Sequence, residues 1–268
     1  MPIVTITSDW NDSSYYLPLL KGKILSAVPG VVFETISNSI EPFNIPQGCF
    51  VLKHSYRNFP KGTIHLMGVN SEPTENSPMI AVQHAGEWIV APNDGRFSLL
   101  LGAAAIENGK AVAYEIPLPQ EFSTFMAAEC FTAAVDAVTN GTFASTLRVC
   151  GIKSVSGALP TVLPDRIIGK IVYIDSYGNA ISNITREDFA RGYMMWSGSN
   201  PNDPEFRIYV GGPQLTLDMI YNGYNDVDSG MDVALFNSIG LLEFAINNGS
   251  FSQVEGIGPN CEIMIKFY

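Results

Sequence analysis

Four polar islands interrupt an otherwise apolar chain, and they hold the side chains best suited to chemistry. The first, Thr7-Ser8-Asp9-Trp10-Asn11-Asp12, falls where a β-branched run ends and a helical pattern begins. In open α/β sheets ligands bind outside the carboxyl ends of strands, so Asp9 is a candidate for sugar hydroxyls, while Asp12 reads as a helix cap. The second, Ala91-Pro92-Asn93-Asp94-Gly95, is a turn signal. The third runs from Tyr173 to Ile184 and the fourth from Phe236 to Gly249; taken singly, each also reads as a hairpin. Phosphate-binding loops, dinucleotide fingerprints, nucleophile elbows and zinc-peptidase motifs are all missing. The three histidines, His54, His65 and His84, read as structural or surface positions, so a Ser–His–Asp hydrolase starts weak. Cys49, Cys130, Cys150 and Cys261 are far apart with no C-x-x-C pair, which favours reduced, mostly buried thiols and no metal site.

The elements that must carry these islands follow from periodicity. Ile3–Thr7 is a strand, and Asp12-Ser13-Ser14 can cap a helix whose Tyr16, Leu17, Leu20, Ile24 and Val28 share one stripe. Val31–Ile36 is the next strand, Pro46 opens a helix reaching about Tyr56, and Gly62–Val69 is a strand. Strands fit Ile80–Gln83, Trp88–Ala91 and Ala111–Glu115, and Glu121–Thr139 is helical. The rhythm implies a sheet covered by helices. Between Cys150 and Gly169 the pattern dissolves into Gly, Ser and Pro, as over Ser154–Pro160, a domain junction. Beyond it Gly169–Ile174, Phe206–Val210, Gln214–Leu217, Val233–Asn237, Leu241–Ile246 and Glu262–Phe267 read as short strands with little helix. The expected fold class is α/β: an α/β domain over 1–155 with a mixed or parallel sheet, then a small all-β, barrel-like domain over 166–268.

Composition narrows the function. The 268 residues carry 15 Lys+Arg against 26 Asp+Glu, a formal charge of −11, which opposes binding to nucleic acid or acidic membranes. Only 15% of residues are charged, against about 25% in a typical domain, so much of the surface is expected to be covered, most simply by copies of the chain. Met1–Ile6 has no basic n-region and no apolar stretch long enough to span a bilayer, and the chain is expected to be cytoplasmic. The sequons at Asn11, Asn140, Asn183 and Asn248 are then accidental.

In order along nearly its whole length the chain resembles the S-adenosylmethionine hydroxide adenosyltransferases, the family that also contains fluorinase and chlorinase enzymes. The resemblance is carried by Thr7–Trp10, Lys21-Gly22-Lys23-Ile24-Leu25, Pro60-Lys61-Gly62-Thr63-Ile64, Val90–Gly95 and Ser123-Thr124-Phe125. Its most specific parts are Ile174–Ile184 and Asn237–Ala245. It implies a Rossmann-like N-domain, a small β C-domain, a homotrimer with active sites between one subunit's N-domain and the neighbour's C-domain, a nucleoside ligand, and no cofactor, since S-adenosylmethionine is itself the substrate. By position it implies Asp9 on the ribose hydroxyls and Phe43 and Phe125 against the nucleoside. Asp175 and Ser238 would hold the methionine portion, Asn179 the adenine edge, and Tyr224 would stack on the base. Asn248 joins this substrate-binding set.

The pattern breaks where the family activates its nucleophile. Its water-using members carry an Asp, an Arg and a His, and the matching positions here are Asn70, Ser77 (or Pro78) and Met126. Glu72, Glu75, Asp94 and Glu129 are the remaining local acids, with Glu72 and Glu75 reading as a solvated loop, and no cation marks the place where an anionic nucleophile would be held. The catalytic residues are therefore unassigned from sequence. Three readings follow: an enzyme cleaving the C5′–sulfonium bond with water or another nucleophile such as halide; a silent adenosine or S-adenosylmethionine binder; and an unrelated hydrolase, disfavoured by the missing nucleophile–His pair.

Overall fold

The computed structural model describes residues 1–155, 159–197 and 205–268. The chain forms two compact units, Met1–Gly157 and Ala158–Tyr268. The expected junction over Ser154–Pro160 lies partly outside the described residues.

In the first unit, strands β1 (Ile3–Ser8), β2 (Val32–Ser37), β3 (Ile64–Gly68), β4 (Met79–His84), β5 (Glu87–Pro92), β6 (Ala111–Glu115) and β7 (Arg148–Cys150) make one sheet, ordered β2-β1-β3-β5-β4-β6-β7. The first four strands in that order are parallel, and from β5 onward pairing is antiparallel. The sheet is thus mixed, as expected. Ala85 and Gly86, both with positive φ, close the tight β4–β5 hairpin that reverses direction. Helices α1 (Tyr16–Ala27), α2 (Ile45–Lys53), α3 (Arg96–Leu101), α4 (Ala103–Glu107), α5 (Met126–Thr139) and α6 (Phe143–Thr146) complete this unit.

Strand alternation sends side chains to two separate cores. Val4, Ile6, Ile64 and Leu66 pack with Leu20, Ile24 of α1 and Phe131, Val135 of α5. Met67, Ile80, Val82 and Ile89 pack with Cys49, Leu52 of α2 and Phe97 of α3. A helix–sheet–helix layering results. Because β2 and β3 lie on opposite sides of β1, the order reverses between β1 and β3, and a crevice opens at their carboxyl ends.

Two helix starts differ from expectation. Asp12 does not cap α1; its Oδ1 accepts a hydrogen bond from Asn38 Nδ2 at 2.8 Å, and the helix begins only at Tyr16. Helix α5 begins at Met126, not Glu121, because the Ser123 hydroxyl takes the Phe125 N–H in a local turn that competes with helix.

The second unit contains β8 (Thr161–Val162), β9 (Arg166–Ile174), β10 (Ala180–Thr185), β11 (Phe206–Val210), β12 (Thr216–Leu217), β13 (Asp232–Phe236), β14 (Leu241–Ile246) and β15 (Glu262–Phe267). They pair antiparallel in the order β12-β11-β15-β9-β10-β14-β13, with β8 added to β9. Ile167, Ile171, Ile263, Ile265, Phe244 and Phe251 fill the core. The "little helix" expectation misses α7 (Arg186–Ser197), beside the short α8 (Phe251–Val254). Thr185 and Asp188 form a reciprocal capping pair at its start (Asp188 N to Thr185 Oγ1 3.0 Å, Thr185 N to Asp188 Oδ2 3.1 Å). Phe189, Tyr193 and Trp196, one helical face, then pack on the sheet. No helix among the described residues is long and apolar enough to cross a membrane.

Candidate functional site

The crevice between β1 and β3 is organised by one carboxylate. Asp9 follows β1, and its Oδ2 accepts the backbone N–H of Phe43 at 2.9 Å and of Asn70 at 3.2 Å. Both partners are held in left-handed conformations, Phe43 at φ 65° and Asn70 at φ 43°. Such backbone is costly for non-glycine residues, above all for an aromatic one, and persists only where surroundings fix it. Here the fixing group is the Asp9 carboxylate, which keeps further acceptor positions for a ligand. The Asp9 loop is itself tied down: Ser8 Oγ donates to Asn38 Oδ1 at 3.0 Å, and Asn11 N donates to Asn38 O at 3.0 Å.

Aromatic walls surround this carboxylate. Phe43 stands 73% exposed, a free ring at the rim. Phe125 is buried and meets Trp10 and Tyr16 edge-on, with centroids 5.1 and 5.0 Å apart. Trp10 reaches this position only because β3 ends in Gly68, where any Cβ would lie 2.6 Å from its ring. The resulting cavity of about 300 Å³ is lined by Asp9, Phe43, Asn70, Glu72, Thr124 and Phe125 among others.

A buried cation lies behind Asn70, engaged by its protein neighbours and not among the residues lining the cleft. Arg96, on α3, is fully buried and donates from Nη1 to Val69 O (2.8 Å) and from Nη2 to Asn70 O (3.1 Å). Asp94 takes its Nε at 2.9 Å and Nη2 at 2.7 Å. Burial pushes the Asp94 carboxyl up, but the hydrogen bonds and charge of Arg96 win and hold it below the usual carboxylate range. The guanidinium thus braces the strained Asn70 loop from beneath.

Glu72 is exposed in the loop after Asn70, as expected, but its carboxylate is tied to α5. Its Oε2 accepts the Met126 N–H, the first amide of α5, at 3.0 Å. Burial raises its carboxyl above the usual range, against the opposing pull of the Ala127 and Met126 amides. Glu129, by contrast, pairs with Lys23 of α1 at 2.6 Å.

A second cleft, about 430 Å³, lies within the second unit and is lined by Asp175, Asn222, Tyr224, Asn237, Ser238 and Glu243 among others. Asp175 Oδ1 accepts the N–H groups of Tyr177 and Asn179, each at 2.9 Å, and Oδ2 accepts Asn179 Nδ2 at 3.2 Å. The buried Glu243 accepts the Tyr224 hydroxyl at 2.6 Å and Asn237 Nδ2 at 2.9 Å. Burial, then the Glu243 carboxylate, raise the Tyr224 phenol well above its ordinary range. Two acids make this cleft electronegative.

The expected site residues therefore fall into two groups. Asp9, Phe43, Phe125 and Asn70 share the first cleft, with the Met126 amide at its edge. Asp175, Tyr224 and Ser238 share the second. Asn179 is buried behind Asp175. Ser77 closes a small turn with Thr74, and Asn248 occupies a left-handed turn position with Nδ2 3.3 Å from Ser229 Oγ; neither lines a cleft. The histidines line neither cleft: His65, for instance, is buried against Thr5 Oγ1 at 2.7 Å, and burial pushes it down to about 4. Sequence reasoning did not single out Trp10, Arg96, Asn237 and Glu243. Glu243 had a visible signal, a lone acid inside the apolar strand Leu-Leu-Glu-Phe-Ala-Ile. All four cysteines are free thiols, with Cys49 and Cys130 buried.

Comparison with known proteins matches both units. Residues 4–148 match the SAM hydroxide adenosyltransferase N-terminal domain, and residues 169–264 the corresponding C-terminal domain. An (R)-S-adenosyl-L-methionine hydrolase of Thermus thermophilus is 24% identical, covering 95% of each chain. A hydrolase of the same name from Methanocaldococcus jannaschii is 26% identical over 72% of this chain and 71% of its own. A fluorinase of Nocardia brasiliensis is 22% identical over 99% of this chain and 97% of its own. In fold, the chain is similar to a conserved protein of Thermotoga maritima, with TM-score 0.81 at 24% identity, covering 98% and 99% of the two chains.

Proposed function

The chain belongs to the SAM hydroxide adenosyltransferase family, and we propose that it cleaves the C5′–sulfonium bond of S-adenosylmethionine with water, giving adenosine and methionine. The observation that carries this reading is the Asp9 carboxylate, fixed at the β1/β3 crevice by two left-handed backbone amides beside an exposed Phe43 ring. A carboxylate with spare acceptor positions suits the paired hydroxyls of a ribose, and a free aromatic face suits the nucleoside. The electronegative cleft around Asp175 and Glu243 suits the cationic methionine end.

The chemistry asks little of the protein beyond placement. A water oxygen bonds to C5′ as the C5′–S pair moves onto sulfur, which leaves as a neutral thioether; the extra proton passes to the protein and then to solvent. The leaving group is already activated, so alignment and exclusion of bulk water supply much of the acceleration. No cofactor is needed. The two clefts belong to different compact units, and we take them to be brought together between copies of the chain in a homotrimer. The low charged fraction agrees with such covered surfaces. Light scattering should then give about 87 kDa, three chain masses; a stable monomer would exclude the shared site.

Incubating the protein with S-adenosylmethionine, with and without chloride or fluoride, and separating products by chromatography tests the reaction. Adenosine and methionine without added halide support it, whereas a 5′-halo-adenosine identifies a halide-using variant. Tight binding with no product supports the second reading, a silent nucleoside binder. That reading is favoured by one observation: Asn70, Ser77 and Met126 stand where the family resemblance sets the activating Asp, Arg and His.

A further inference from the structure

The first cleft contains a carboxylate that nucleoside binding leaves unused. Asp9, Tyr16 and Glu72 are the titratable side chains among its lining residues. Asp9 is engaged by two backbone amides, and the Tyr16 ring is packed edge-on against Phe125. Glu72 reaches from the loop after Asn70 to the amino end of α5 and lines the same cavity as Asn70. The Met126 N–H, at 3.0 Å, and the Ala127 amide hold the Glu72 carboxylate, and the two oxygens of a carboxylate keep further acceptor positions beyond these. We infer that Glu72 is the general base of this chain, taking the proton from a water that attacks C5′.

This inference rests on the hydrolytic reading above and adds the identity of the base and of the nucleophile. In the step, the water oxygen bonds to C5′, its proton moves to a Glu72 oxygen, and the C5′–S electron pair leaves with sulfur. Glu72 then releases the proton to solvent. A carboxylate beside the attacking atom also repels halide ions, so the site selects neutral water over an anion. Several groups set the titration of Glu72. The Met126 and Ala127 amides favour its charged form, while burial opposes it. Asp9 lines the same cavity, and Glu129, paired with Lys23 of α1, and the Cys130 thiol sit on α5. Burial first, then the charges of Glu72 and Glu129, push Cys130 up to about 11, so it stays neutral throughout the working range. A carboxylate raised above its ordinary range by burial accepts a proton more readily than a free one.

Glu72→Gln separates catalysis from helix capping, since the amide oxygen can still accept the Met126 N–H. The expected result is a fall in kcat on the order of 100- to 1,000-fold, with S-adenosylmethionine affinity and the thermal midpoint unchanged. Wild-type kcat should fall as pH drops through the Glu72 pKa, and the residual activity of the variant should lack that limb. Glu72→Asp, which keeps the carboxylate on a shorter stem, should recover part of the rate. A Glu72→Gln enzyme retaining kcat within threefold overturns the inference while leaving hydrolysis standing. A wild-type protein that binds S-adenosylmethionine yet releases no adenosine overturns both.

Discussion

The two clefts both rest on carboxylates, but they use them in opposite ways. In the first unit Asp9 holds main chain in place: its Oδ2 pins two left-handed residues from different loops and retains capacity toward the cavity. In the second unit the acids are consumed internally. Asp175 binds its own turn and Asn179, and Glu243 is covered by Tyr224 and Asn237. Strain is therefore concentrated in the first cleft, and hydrogen-bond saturation in the second. Strained, incompletely saturated groups are typical of sites that bind and transform, whereas saturated networks rigidify and specify shape. The first cleft thus keeps acceptor capacity free, while the second is shaped by acids already partnered.

The sharpest way to break this contrast is to remove the brace under the strained loop. Asp94→Asn leaves the fully buried Arg96 guanidinium without its anion, and losing one partner of a buried pair costs about 3–5 kcal/mol. Chemical denaturation should show that loss, and the double variant with Arg96→Leu should recover part of it. The pH dependence has a definite sign. A carboxyl held below its ordinary range contributes stability that is present above its unfolded pKa and is lost as pH falls through the folded value. The wild-type protein should thus resist acid to lower pH than Asp94→Asn. Equal acid midpoints would show that the pair does not brace the loop.

Asp9→Ala should weaken adenosine and S-adenosylmethionine alike, by about 3 kcal/mol or on the order of 100-fold by calorimetry, as hydrogen bonds to a charged group are lost. Its two left-handed partners would also lose their anchor. Affinity within threefold of wild type would mean that the carboxylate serves only the loops.

Much of this arrangement was legible before any coordinates. Asp9 was readable because it ends a β-branched run and precedes a helix, and that position in an α/β sheet is where ligands sit. The third and fourth islands were readable because turn residues break apolar alternation there. What escaped were relationships between distant segments. Arg96 reads as an ordinary helix-start residue until folding brings it under carbonyls 26 and 27 positions earlier. The left-handed state of Phe43 has no sequence signal, since it is imposed by a carboxylate 34 positions away. Helix α7 was different: Thr185 and Asp188 spell its capping pair, and the β-rich surroundings masked it.

In the second cleft the turn geometry can be tested without touching an acid. Gly178 has φ 84°, and an added Cβ would approach the Ser250 hydroxyl at 2.0 Å and its Cβ at 2.9 Å. Gly178→Ala should destabilise the protein by about 2 kcal/mol, from the left-handed conformation together with this crowding. A melting temperature within a degree of wild type would mean that the Asp175–Asn179 turn relaxes freely, against the rigid role given to it.

The smallest effect is expected at Tyr224, and it separates saturation from contact. Tyr224→Phe keeps the ring on the cleft wall but removes the hydroxyl from Glu243. Glu243 keeps Asn237, so the loss should be near 1 kcal/mol in stability. If the ring is the ligand-facing part, affinity for adenosine should change less than twofold in the variant. The wild-type phenol, raised by burial and by Glu243, should escape ionisation in a spectroscopic titration through the pH at which ordinary tyrosines ionise. Because its folded pKa is raised, its stabilising contribution is complete below the ordinary tyrosine pKa and is lost as pH climbs toward the folded value. Tyr224→Phe should therefore flatten the alkaline side of the stability curve. An unchanged alkaline slope would show that the hydroxyl is hydrated, leaving Glu243 less saturated than Asp175 and the contrast between the two clefts correspondingly weaker.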